Sequence, residues 1–170
     1  NATAIVGLGS GHGVTVSGEV VGVGGITLGN DITDGFNRLT VGDSGMVFGS
    51  DRAVGIFGVN SGLTNYGVIE GIEVGVKIAG SNASIVNHGD ISGKIAVSSF
   101  QGSNTANLSV LISNHGTLSG SITAIDGGAF NERVHNFDTI IGRIRLLTGD
   151  DTVINRGLIR GDVNLGSGND

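Results

Sequence analysis

Cysteine, proline and tryptophan are absent from this chain of 170 residues. The lack of cysteine excludes a disulfide framework. Two Lys and seven Arg are scattered along the sequence and the net charge is −6, so no basic patch is available for a nucleic acid. No stretch approaches the roughly 20 apolar residues of a membrane-spanning helix. We therefore expect neither a nucleic-acid partner nor insertion into a membrane.

Aromatic residues are also scarce, at six Phe and one Tyr, whereas glycine supplies 33 residues. Glycine this abundant without a strict three-residue period is not collagen-like. The remainder is mainly Val, Ile and Leu with Asn, Ser, Thr and Asp, a mixture that favours short strands and tight turns over long helices. The length fits one domain, residues 1–170. Because the chain begins at Asn1 without Met, we expect an excised segment of a larger protein.

A seven-residue motif recurs seven times along the chain. Its fifth position is always a branched aliphatic residue, its seventh is always Gly, and its third is Gly except at Asp138. Another aliphatic residue lies two positions before each copy, and successive copies begin 27, 22, 22, 27, 22 and 19 residues apart. The copies span residues 16–22, 43–49, 65–71, 87–93, 114–120, 136–142 and 155–161. Repeats of this length indicate a solenoid.

The repeat predicts an all-β fold, a right-handed parallel β-helix with about seven rungs and about three short strands in each rung. Polar and apolar residues alternate in segments such as 143–146 and 162–165, which indicates strands with one buried face. One copy is too short to bury that face alone, so copies stack at roughly 4.8 Å per rung. The handedness follows from the strong preference of parallel crossovers. The longer spacings predict outward loops, for example over 99–107.

The first position of the motif is Val16, then Asp43, and then Asn in five successive copies. Asn tolerates the left-handed backbone of turns, and its amide can bond to the amide of the next rung. We therefore predict a structural ladder of stacked amides. The ladder residues are Asn65, Asn87, Asn114, Asn136 and Asn155.

The second position of the motif carries four flat rings in succession, at Tyr66, His88, His115 and Phe137. Rings that recur once per rung predict a stack on the outside of a corner. A metal site formed by the two histidines is the alternative, with Asp90 as its plausible third ligand.

Two segments near the C-terminus, 146–151 and 165–170, align at 19 residues and combine glycine with carboxylates. Hard oxygen ligands presented on Gly turns suit Ca²⁺. Asp151 and Asp170 are therefore the candidate metal ligands, and calcium is the candidate cofactor. The alternative is a pair of Asp-Gly turns with solvated carboxylates.

Catalytic chemistry finds little support, and no catalytic residue is predicted. The segment GLGSGHG at 7–13 is superficially like a dinucleotide fingerprint, but strand and turn residues follow it instead of the required helix. No nucleophile elbow of the type Gly-x-Ser-x-Gly occurs. Asp51 and Glu73 occupy equivalent places in adjacent rungs, where two carboxylates could bind a cation or act in acid–base work. The alternative is a solvated edge neutralised by Arg52 and Lys77.

The pattern Asn-x-Gly-x-Ile-x-Gly, a short strand, Leu-x-x-Gly-x-Asp and then Val-x-Asn resembles the low-complexity repeats of large bacterial secreted surface proteins. These include autotransporter passenger domains, filamentous adhesins and RTX-type calcium-binding proteins, and the resemblance covers about residues 14–170. The segment LGSGND at 165–170 resembles the opening of the RTX calcium nonapeptide, with Leu165 in place of the first Gly. The resemblance implies adhesion, biofilm or surface-layer roles and an extracellular or bacterial cell-surface location.

We therefore expect a non-catalytic structural or adhesive segment whose binding residues lie in loops such as 29–38 and 99–107. The expected partners are a host or bacterial surface, its glycans, and other copies of the chain end to end, because an uncapped solenoid presents open strand edges. The alternative function is a carbohydrate-binding or polysaccharide-processing β-helix. A calcium-stabilised RTX-like module could coexist with the first.

Overall fold

The computed structural model describes residues 3–99 and 109–170, and within these ranges the chain forms β-strands and no helix. The paired strands are parallel and build two sheets, stacked as a β-solenoid of about seven turns. The predicted fold class is therefore confirmed. Over the same ranges, no helix is long and apolar enough to cross a membrane. Apart from Ser99, the loop predicted over 99–107 lies outside the described residues.

Ten strands form sheet A and seven form sheet B. Sheet A contains β1 (Thr3–Gly7), β3 (Glu19–Leu28), β5 (Met46–Phe57), β7 (Val68–Gly71), β8 (Val74–Ala79), β10 (Asp90–Ser98), β12 (Thr117–Asp126), β14 (Thr139–Arg145), β16 (Leu158–Arg160) and β17 (Val163–Asn164). Sheet B contains β2 (Gly13–Val16), β4 (Arg38–Val41), β6 (Gly62–Asn65), β9 (Ala83–Asn87), β11 (Ser109–Asn114), β13 (Asn131–Asn136) and β15 (Thr152–Asn155).

Each turn consists of three strand segments, as the repeat length predicts. A strand of sheet B leads through a corner into a first segment of sheet A, and a bend then leads into a second segment. In one turn the two segments of sheet A are the separate strands β7 and β8, both of which pair with β10. In β10 itself the two segments are continuous, with a register shift between Gly93 and Ile95. Two of the three predicted strands therefore often merge into one bent strand.

The core consists of columns of like side chains that pair from turn to turn. The fifth position of the motif forms one uninterrupted column in sheet A, and its central member Ile91 pairs with Ile69 on one side and Leu118 on the other. These three side chains are buried. The full column is Val20, Val47, Ile69, Ile91, Leu118, Ile140 and Ile159. Successive turns thus lie directly over one another, and apolar area is buried between them.

The aliphatic column of sheet B differs from the prediction at one place. Leu39, not Val41, pairs with Leu63, and Val41 instead pairs with Asn65. The assignment of Asp43 to the asparagine column is therefore wrong. The second turn has two additional residues at this corner, since Val41 and Gly45 are four positions apart whereas Asn65 and Gly67 are two apart. The prediction aligned the seven-residue copies without gaps. It therefore assigned Asp43 to the column position that Val41, two residues earlier, occupies.

The glycine at the third position of the motif permits the corners to stack. A Cβ atom on Gly89 would overlap the carbonyl oxygen of Gly67 in the turn below, and a Cβ on Gly116 would overlap that of Gly89. None of these glycines needs a positive φ. The requirement is close approach of backbone to backbone, which only a residue without a Cβ permits. Nothing in the structure explains why Asp138 replaces glycine in this column.

Candidate functional site

The five predicted asparagines form a ladder inside the corner between the sheets. The Nδ2 of each donates to the Oδ1 of the next, over 2.8 Å from Asn65, 2.9 Å from Asn87, 2.8 Å from Asn114 and 2.8 Å from Asn136, which reaches Asn155. The same Nδ2 atoms donate to the main-chain carbonyl two residues ahead. The first four are fully buried. Because burying an amide is costly unless it is hydrogen-bonded, this column is a structural element.

The ladder is incomplete at its first rung. The Oδ1 atom of Asn65 is buried and has no hydrogen-bond partner within 3–99 and 109–170. Its neighbour in the turn below is Val41, which has no donor in its side chain. The unsatisfied oxygen therefore marks the boundary between the valine and asparagine parts of one column.

The four rings of the second position stack on the outside of the same corner. Ring centroids are 5.0 Å apart for Tyr66 and His88, 5.0 Å for His88 and His115, and 4.5 Å for His115 and Phe137. The guanidinium of Arg156 lies 5.5 Å from the centroid of Phe137 and continues the stack. His88 and His115 therefore have a ring on each face, and Phe137 lies between the ring of His115 and the guanidinium of Arg156.

This stacking does not suit a metal site formed by the two histidines, which was the alternative to the predicted stack. The planes of His88 and His115 are within 20° of parallel, so their in-plane nitrogen lone pairs point side by side and do not converge on one ion. The Nε2 of His115 is also 3.1 Å from the hydroxyl of Ser113. No group of three or more His, Cys, Asp or Glu able to hold a metal occurs within 3–99 and 109–170.

At the C-terminal end, a column of acids enters the interior. The backbone N–H of Glu132 donates to Asp151 Oδ1 over 2.8 Å, and that of Asp151 donates to Asp170 Oδ1 over 2.9 Å. Glu132 and Asp151 are buried, and each keeps one carboxyl oxygen without a partner among the described residues. Glu132 Oε1 accepts from Ser99 Oγ over 2.7 Å and from the N–H of Gly128 over 3.2 Å.

Burial dominates the electrostatics of this acid pair. The pKa of Glu132 is raised to about 8, chiefly by loss of water and further by the adjacent Asp151 carboxyl, while the hydrogen bonds from Ser99 and Gly128 oppose the rise. Burial also raises the pKa of Asp151. Two acids this close in an apolar interior favour a state in which one proton is retained between them.

The predicted calcium ligands are part of this column, and their geometry does not complete a calcium site. Asp151 and Asp170 are one turn apart, and each uses one oxygen to accept a backbone N–H. Ca²⁺ takes about 6–8 oxygen ligands. The two carboxylates leave too few free oxygens for that number, so calcium stays a prediction. The 19-residue alignment of the two segments is seen in the pairing of Thr148 with Ser167.

Glu132 was missed by the sequence reasoning, although its position carried a signal. It lies two residues before the inward-facing Val134 and four before Asn136, so alternation along a strand predicts an inward side chain. The same column contains the buried Ala83 and Val110 in the two preceding turns. An acid in a column of aliphatic residues is a candidate for a perturbed pKa.

The carboxylates of Asp51 and Glu73 lie on the exposed surface of sheet A. Their turns are adjacent, since the N–H of Glu73 donates to the carbonyl of Asp51 over 3.1 Å. Glu73 forms an ion pair with Lys94 at 2.6 Å, with both side chains about half exposed. The predicted neutralising residue Arg52 lies over the ring of Phe57; burial lowers the pKa of its guanidinium, and the charge of Asp51 opposes that lowering. An exposed ion pair of this kind contributes little to stability.

The loop predicted to carry binding residues over 29–38 holds its shape through its own side chains. Asp34 Oδ2 accepts from the N–H groups of Asn30 and Asp31, and Asp31 Oδ1 accepts from the N–H and hydroxyl of Thr33. The hydrogen bonds from Thr33 lower the pKa of Asp31. Phe36, at a φ of 59°, presents its ring to solvent. The loop therefore offers an ordered, exposed aromatic side chain.

Comparisons of the chain with protein-family models, with curated proteins and with solved structures found no match. The function must therefore be inferred from the geometry of the solenoid.

Proposed function

We propose that this chain is a non-catalytic structural and adhesive segment of a bacterial secreted or cell-surface protein. The observation that carries the proposal is the repetition of three continuous columns, the aliphatic core, the asparagine ladder and the ring stack, through successive turns. Like side chains stacked on like side chains give a rod whose length is set by the number of turns. Such a rod holds its exposed loops at a distance from an anchor, and loops on rigid scaffolds commonly carry binding.

The location is tested by labelling cells of the source organism with antibodies raised against the purified chain. Intact cells should be labelled to the same extent as permeabilised cells. Labelling that requires permeabilisation would rule out a surface location.

Adhesion is tested with beads coated with the purified chain. We expect the beads to be retained on host cells or on cells of the same bacterium, above beads coated with a folded protein of equal charge. A Phe36→Ser variant should reduce retention if the 29–38 loop makes the contact, while leaving the melting temperature unchanged because the ring is exposed. Retention equal to that of the control beads on every surface would contradict the adhesive role.

Self-association end to end is the second part of the proposal. Within the described residues, β15 is the outermost strand of sheet B, and β16 and β17 are the outermost strands of sheet A, so the purified 170-residue chain would offer their edges for pairing. The core-facing Val153, Ile159 and Leu165 of this turn are only partly buried. Light scattering over a hundredfold range of concentration should show a rise in mass; a constant monomer mass would contradict this part.

The calcium-stabilised module is retained as a separate alternative. Its test is a thermal melt of the purified chain in Ca²⁺ and in chelator. A higher melting temperature in Ca²⁺ that disappears in an Asp151→Asn and Asp170→Asn double variant would support it. Superimposable melts would remove it.

A further inference from the structure

Sheet B carries a groove on its outer face. Its volume is about 330 Å³, within the range of small-ligand sites, and outward-facing side chains of β9, β11 and β13 line it. The pairing of Ser84 with Leu111 and of Leu111 with Arg133 brings the lining together from three successive turns. The polar lining residues are Asn82, Ser84, Ser109, Arg133 and His135.

The groove has a cationic group without a counterion. The guanidinium of Arg133 makes no hydrogen bond or ion pair with any residue in the described ranges 3–99 and 109–170. The strands of sheet B contain one acid, Glu132, and it is buried on the opposite face of β13. The strands of sheet A, in contrast, contain five acids: Glu19, Asp51, Glu70, Asp90 and Asp126. The strands of sheet B therefore carry no exposed carboxylate on their outer face, although the net charge of the chain is −6.

The remaining lining is suited to hydroxyl groups. Ser84, Ser109 and Asn82 each offer both a donor and an acceptor. Asn82 has a φ of 55°. Its side chain accepts a hydrogen bond from Ser109 Oγ at 3.3 Å and donates one to Asn60 Oδ1 at 3.4 Å, so its position is fixed. Leu111 is 37% exposed and supplies an apolar patch. Among the described residues the lining contains no Trp, Tyr, Phe or Met, so of the residue types enriched at peptide and protein interfaces it has only Arg133.

We propose that this groove binds an acidic oligosaccharide. Arg133 pairs with the carboxylate or sulfate group of one sugar, through the paired N–H groups that suit a planar or tetrahedral anion. Asn82, Ser84 and Ser109 bind neighbouring hydroxyls, and Leu111 contacts a sugar face. This inference rests on the adhesive role in the proposed function and takes up the glycan partner expected from the sequence, for which it names a chemical class and a site.

The test is titration calorimetry on the purified 170-residue chain. The probes are an oligogalacturonate, a sulfated oligosaccharide, a neutral oligosaccharide of equal length, inorganic sulfate and an oligo-aspartate peptide. We expect binding of at least one acidic oligosaccharide and at least about tenfold weaker binding of the neutral one, because a charge-assisted pair is lost. Which acidic probe binds more tightly identifies the anionic group.

Arg133→Gln should weaken binding by about tenfold or more at an unchanged melting temperature. Arg160→Gln is the matched control, since it removes the same charge from an exposed position on sheet A and should have no effect. Four results would overturn the site: no binding of either acidic oligosaccharide, sulfate binding as tightly as the sugars, preference for the peptide, or equal loss in both variants.

The two proposals fail separately. If coated beads adhere to cells while Arg133→Gln changes neither titration nor adhesion, the groove is excluded and the adhesive function stands. If acidic oligosaccharides bind in solution while the beads adhere to no surface, the groove stands and the adhesive function is excluded.

Discussion

The contribution of a single side chain to the stability of this solenoid depends on its neighbours in the same column. Asn114 donates to Asn136 and accepts from Asn87, so removing its amide affects three turns at once. Asn155 occupies the last rung and is exposed. The position within the column, and not the residue type, therefore decides the cost of a substitution.

Asn114→Ala should lower the free energy of unfolding by about 2–4 kcal/mol, because it leaves Asn87 Nδ2 short of one acceptor and Asn136 Oδ1 without a donor in a buried site. Asn155→Ala should cost under about 1 kcal/mol, since solvent can replace the lost partner. Urea unfolding followed by circular dichroism measures both. Equal losses in the two variants would show that the ladder is not cooperative.

The buried acid pair makes stability depend on pH. The pKa of Glu132 rises on folding from its ordinary value of 4.5 to about 8, so the folded chain holds a proton that the unfolded chain releases between these values. The stabilisation that the folded state gains from this proton is therefore fully present below about pH 4.5, and it is lost as the pH rises towards 8. The slope is at most about 1.4 kcal/mol per pH unit for one proton.

Glu132→Gln removes this titration while keeping the shape of the side chain. We expect the free energy of unfolding of this variant to exceed that of the unchanged chain by a small amount near pH 5 and by a larger amount towards pH 8. Glu73→Gln is the control, because that carboxylate is half exposed and paired on the surface. Denaturant unfolding at a series of pH values measures the difference. A constant difference across the series would contradict the retained proton.

At the scale of the strand and corner, the sequence predicted those columns in which every copy of the repeat carries the same kind of residue. The column through Ile69, Ile91 and Leu118 was predictable because every copy supplies a branched aliphatic residue at one position. The misplacement of Asp43 arose because an insertion at a corner leaves the strands in register while shifting the count between them. The groove at Arg133 was missed because no residue type recurs along its lining, although Ser84, Leu111 and Arg133 each lie three residues before a copy of the motif and pair over the spacings of 27 and 22 residues.

The corners give a matched pair of substitutions. Gly89→Ala should destabilise the fold by about 1–3 kcal/mol, because the new Cβ would overlap the carbonyl of Gly67 and force the turns apart. Gly18 occupies the equivalent corner of the first turn, where no atom lies within 4 Å of an added Cβ. Gly18→Ala should therefore leave the stability unchanged or slightly increased. Thermal melts of the two variants measure the contrast. Equal melting temperatures would show that the corners do not set the stacking distance.

At the scale of the whole molecule, each turn contacts mainly its neighbours, and stability accumulates turn by turn. A charge placed in the central column should therefore unfold several turns. Ile91→Asp should cost at least about 3–5 kcal/mol, because it buries an unpaired carboxylate among Ile69 and Leu118. Loss of the β-sheet circular dichroism signal at 25 °C checks this. Ser92→Asp, on the outward face of the same strand, should remain folded.

The asparagine ladder has a direction. The Nδ2 atoms of Asn65, Asn87, Asn114 and Asn136 all donate to the following turn, so their amide dipoles add along the axis. Below Asn65 the same column continues as Val41 and Val16, whose side chains have no donor or acceptor. The polarity of the ladder is therefore confined to the later turns, and a copy stacked head to tail would present a valine, not an asparagine, to Asn155.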